Sequence, residues 1–93
     1  MCTYIVEHTE VAGSAQGGRG WFSLAGANVS YDHPFHAEIE HALNIDFVDS
    51  SGGLADRVGV ELTIDSAREL ARTILAAVER AEQYEERMLT ARA

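Results

Sequence analysis

The chain has no lysine, one cysteine, one proline and one tryptophan in its 93 residues. Each scarcity removes a class of function. A lone thiol at Cys2 closes no internal disulfide and supplies no cysteine-rich zinc cluster. Seven arginines against fifteen acids leave a formal charge of −8. Such a surface repels phosphate backbones, so nucleic acid is not an expected partner. No apolar run approaches the roughly 20 residues that span a bilayer. The opening "MCTYIVEHTE" carries acids where a signal peptide has a basic segment and a long apolar one. A cytoplasmic protein with no membrane partner is expected, and the sequon-like Asn28-Val29-Ser30 is then coincidence. Arginine without lysine, with abundant alanine and glycine, reflects a GC-rich coding bias and carries no chemistry.

What is present is enough for a core. Hydrophobic residues make up 46% of the chain, which predicts one folded domain over residues 1–93. Residues 2–11, "CTYIVEHTEV", are rich in β-branched and aromatic types and read as a strand. Cys2, Tyr4, Val6 and His8 share one face, and Thr3, Ile5, Glu7 and Thr9 the other. "AGSAQGGRG" lacks the Gly-Lys-Ser/Thr ending of a phosphate-binding loop and the spacing of a dinucleotide fingerprint, and it reads as a flexible connection. Trp21 to Tyr31 reads as strand interrupted at Gly26 by a bulge or short turn. Residues 41–48 alternate, with His41, Leu43, Ile45 and Phe47 on one face and Ala42, Asn44 and Asp46 on the other. "RVGVELT" alternates too, with Val58, Val60 and Leu62 inward. These two segments predict an antiparallel hairpin around "DSSGGLAD".

A helix should follow Thr63, a suitable N-cap with Asp65 in the first turn. Ala67, Leu70, Ala71, Ile74, Leu75 and Val78 form its apolar stripe. The pattern turns polar from about residue 82, in "EQYEERMLTARA". The expectation is an α+β fold: an antiparallel sheet of about four strands with one long C-terminal helix packed on one face. One helix covers only part of such a sheet, and Tyr4, Trp21, Phe22 and Phe35 still need cover, which predicts a homodimer that buries the second sheet face or the helix tail.

The segment "YDHPFHAEIEH" holds three of the four histidines, with Glu38 and Glu40 among them and the only proline at Pro34. Neutral imidazole suits zinc, copper, iron and nickel. His33, His36 and His41, joined by His8 from the first strand, are therefore candidate ligands for one divalent transition metal. Glu38 or Glu40 would add an oxygen ligand, act as a base on bound water, or orient an imidazole. The spacing His-x2-His-x4-His matches no zinc motif of known mechanism. The competing reading is a set of solvated histidines titrating near neutrality, and metal-free acid–base catalysis is a third. Whether the protein is an enzyme stays open. Cys2 raises the possibility of an N-terminal nucleophile after loss of Met1, against the plainer role of a small buried thiol. Tyr4, Tyr31, Trp21 and Phe35 are core or interface residues by default. An aromatic pocket beside the histidines would suit a small-molecule ligand or a partner protein, in a non-catalytic dimeric domain.

The stretches "MCTYIVEH", "GGRGWF", "YDHPFHAEIEHALNIDFV" and "VGVELTIDSARELARTIL" together resemble a family of small uncharacterised bacterial proteins that open Met-Cys-Thr-Tyr. The resemblance covers about residues 1–80 and leaves out the polar tail. It implies no reaction and no site residues.

Overall fold

A computed structural model describes residues 3–49 and 56–92; Cys2 lies outside them. The elements run β1 Ile5–Glu10, β2 Ser14–Gly17, β3 Gly20–Asp32, β4 Ala42–Asp49, β5 Arg57–Leu62 and α1 Ile64–Arg92. This is the expected α+β class, an antiparallel sheet followed by a long helix, with one strand more than the four that alternation shows.

The extra strand is β2, and it corrects the reading of "AGSAQGGRG" as a flexible connection. Ser14–Gly17 pairs antiparallel with Gly20–Ser23, closing a hairpin on a two-residue turn at Gly18 and Arg19. Gly20 takes φ +108°, a conformation that side-chain-bearing residues rarely adopt. Composition points to a loop because the strand owes its existence to pairing with β3, not to its own propensity. Arg19 at the turn also reaches Asp56 at 3.3 Å, tying the hairpin to the start of β5.

β3 organises the sheet, whose order is β1-β3-β4-β5 with β2 paired to the first part of β3. Its register against β4 shifts between Leu24 and Gly26, the bulge expected near Gly26. A Cβ on Gly26 would come within 2.8 Å of the His8 ring and 3.2 Å of the Thr9 carbonyl oxygen. Glycine is favoured there chiefly by the His8 ring, with the β1 backbone a second and milder constraint. β4 and β5 pair from Leu43 opposite Leu62 to Val48 opposite Arg57, as their alternation predicts.

The registers sort the two faces of the sheet. Rows Tyr31–Leu43–Leu62, Val29–Ile45–Val60 and Ala27–Phe47–Val58 make one face apolar across β3, β4 and β5, with Ile5, Glu7 and Thr9 of β1 at its edge. Rows Ser30–Asn44–Glu61 and His8–Asn28–Asp46–Gly59 make the other polar. A one-residue slip would exchange the faces, so the apolar row fixes the register.

Thr63 caps α1 as expected: its Oγ1 accepts the Ser66 N–H at 3.1 Å. The helix then runs 29 residues to Arg92, through the polar segment. At 1.5 Å per residue that is about 43 Å, and the molecule measures 56 × 31 × 21 Å. α1 touches β4, but of its described side chains only that of Ala67 is even half-buried. Helical cover of the sheet face is therefore slight. Among the described residues, Ala27 and Ala42 are the only buried hydrophobic ones. Ile74, Leu75 and Val78, on the expected apolar stripe, stand in solvent.

Candidate functional site

The polar sheet face is roofed by the segment between β3 and β4, which contains the histidines. Pro34 keeps this segment from continuing β3, because it has no N–H to give a strand partner. Two carboxylates hold the roof, Asp32 accepting the His33 N–H at 2.8 Å and Glu61 the three amides that follow Pro34. Glu61, pointing up from β5, accepts the backbone N–H groups of Phe35, of His36 at 3.1 Å and of Ala37 at 2.8 Å. These bonds, the one from Ala37 first and that from Phe35 next, hold the Glu61 carboxyl below its ordinary pKa, against a weaker opposing desolvation.

Between roof and sheet lies a solvent-open cleft of about 880 Å³. Its floor is Ser30, Asn44 and Asp46, its far wall Arg57, and its roof His33 to Ala37. Arg57 is ion-paired with Asp46 across the floor. Asn44 Oδ1 is out of contact with solvent and accepts no hydrogen bond. An acceptor of this kind costs on the order of 1–3 kcal/mol when left unmade, and being closed to solvent it lies beneath the floor's surface. The Phe35 ring is fully exposed at the rim.

The four histidines do not meet at one point. His33 and His41 stack with ring centroids 4.6 Å apart, and His41 stacks in turn on Tyr31 at 5.4 Å. His33 Nδ1 donates to the Glu40 carbonyl at 3.0 Å. Since a carbonyl only accepts, Nδ1 carries the proton in the neutral ring, and the lone pair is then on Nε2. His36 lines the cleft beside His33. His8 lies elsewhere, bonded through Nδ1 to Asn28 Oδ1 at 2.6 Å. Asn28 is four residues before Asp32, about 13 Å along the strand from the histidine segment. Among the described residues no group of three or more histidine, cysteine, aspartate or glutamate side chains is gathered as a metal site would need.

The aromatic side chains are likewise dispersed. Tyr31 joins the imidazole stack, Phe35 marks the rim, and Trp21 is exposed near the β2–β3 turn. The sequence offered the floor as one face of an alternating strand, Ala42, Asn44 and Asp46. It offered no sign that Glu61 would reach 24 residues back to clamp the roof.

Over residues 1–87 the chain matches a family of unknown function (DUF6295). The chain belongs to that family. Family membership brings no activity with it, so the cleft has to be read from its own chemistry. No curated protein and no solved structure matches the chain. No helix among the described residues is long and apolar enough to cross a membrane.

Proposed function

We propose that the protein is a small-ligand-binding domain that takes its ligand in the cleft between the polar sheet face and the histidine roof. The observation that carries this reading is the cleft itself, with Ser30, Asn44 and Asp46 on its floor under a roof whose amides Glu61 clamps. The floor offers a hydroxyl and an amide, so the ligand it selects is a polar one. Charge narrows the class further. Asp46 is neutralised by Arg57, and Glu61 keeps its negative charge while serving the roof. The cleft therefore suits a neutral or cationic amide, amine or hydroxyl compound, with an apolar part against Phe35. The test is amide NMR during titration with a set of small amides, amines and polyols. Shifts concentrated at Ser30, Asn44, Glu61 and Phe35–Ala37, and lost in Asn44→Leu, support the reading. Shifts scattered over α1, or unchanged in Asn44→Leu, overturn it.

A metal reading is favoured by a different observation, the His33–His41 pair. The hydrogen bond from His33 Nδ1 to a carbonyl is the orientation that presents Nε2 to a metal. In this reading His33 and His41, with His36 from the same segment, take zinc, copper, iron or nickel, and His8 plays no part. Metal analysis of protein purified without a polyhistidine tag tests it. Stoichiometric metal lost in both His33→Ala and His41→Ala supports it, and metal-free protein that takes up none on titration removes it.

A further inference from the structure

The exposed face of α1 has a regularity that the broad apolar stripe conceals. Ala67, Leu70, Ile74, Ala77, Ala81, Tyr84, Met88 and Ala91 follow one another at alternating spacings of three and four residues. That is a heptad seam of a and d positions unbroken through the helix, including the segment whose polarity ends the broader stripe. Every described side chain on it beyond Ala67 is exposed, with Ile74 at 53% and Tyr84 at 54%.

Surface area says how much is left to be covered. A compact chain of 10.1 kDa exposes about 5300 Å². This one exposes 7310 Å², an excess of about 2000 Å² by that scaling. Its radius of gyration is 16.3 Å, against about 12 Å for a compact chain of this length. That excess is shared between the helix and the sheet, and two copies hiding even half of it would bury about 2000 Å² together, the size of a stable specific interface.

We propose that α1 pairs in parallel with the α1 of a second copy along this seam, forming a two-stranded coiled coil that covers the exposed face of the helix. Three features set the partner and its direction. Ile74 at an a position beside Leu70 at d is the two-strand preference. Ile64, Ala71 and Val78 occupy e positions only in the first half of the helix. In parallel order this wide apolar half lies against its own copy, whereas reversal would set it beside Glu85. Arg80 at g and Glu85 at the e position five residues on then face each other across the dimer, twice by symmetry. The next such pair, position 87 with position 92, is arginine with arginine and falls in the last turn.

Sedimentation of the full chain at micromolar concentration should give a dimer. In a Cys2→Ser background, Ala77→Cys and Met88→Cys, tested one at a time, should each oxidise to a disulfide-linked dimer, while Glu86→Cys on the outer face should not. An antiparallel pair can satisfy at most one of those two seam positions. Arg80→Glu should weaken the dimer several-fold, and adding Glu85→Arg should restore it without touching the apolar seam. A monomer at micromolar concentration, a trimer or tetramer, or cross-linking at only one seam position would overturn the proposal. So would dimer strength that ignores the charge exchange.

Discussion

Glu61 on β5 accepts the backbone N–H of Ala37 at 2.8 Å across 24 residues of chain, and the same carboxylate holds the two amides before it. One acidic side chain thus ties three consecutive roof amides to β5. Glu61→Ala should free the amides of Phe35, His36 and Ala37, raising their hydrogen-exchange rates to those of an unstructured loop. The Val29–Ile45–Val60 row should keep its protection. Unchanged exchange at all three amides would show that the roof is held by something else.

The same clamp should depend on pH in one direction. The folded Glu61 pKa lies below the ordinary carboxylate value of 4.5, so the folded state binds this proton less readily than the unfolded chain. Its contribution is complete above about 4.5, the ordinary value, declines below it, and is gone once pH falls through the folded pKa. Roof amides followed by NMR should therefore begin to lose protection only below about pH 4.5. Glu61→Gln should remove that acid transition. A transition near pH 6.5 instead would point to the histidines.

Thr63 satisfies the Ser66 N–H at the start of α1. Thr63→Ala should cost about 1 kcal/mol, lowering the melting temperature by about 4–8 °C. Thr63→Ser should cost much less. Thermal unfolding by circular dichroism distinguishes the two.

Gly26 and His8 should couple. Gly26→Ala brings a methyl within 2.8 Å of the His8 ring and 3.2 Å of the Thr9 carbonyl, an overpacking worth about 1–3 kcal/mol. In a His8→Ala background the ring is gone and only the carbonyl contact remains. The double-mutant cycle should show a favourable interaction term; strict additivity would mean that β1 moves as a unit to relieve both contacts.

Much of the architecture was written in local pattern. Alternation in 41–48 and 57–62 determined which side chains of β4 and β5 face the apolar side, because a strand has a period of two and its register cannot slip without exposing Ile45 and Val60. Thr63, Asp65 and the spacing from Ala67 to Val78 determined where the helix starts, because capping acts within one turn. Tertiary structure decided the rest. β2 exists because β3 offers Gly20–Ser23 as a partner, and no local propensity reveals that. The histidines are close in sequence, yet only His33 and His41 stack, since Pro34 and the Glu61 clamp set the path of the segment between them. His8 is carried away by its pairing opposite Asn28. The apolar stripe of α1 signalled burial, but periodicity states only that a face wants cover. That the cover does not come from this chain's own sheet is a matter of where β5 ends and the helix leaves it.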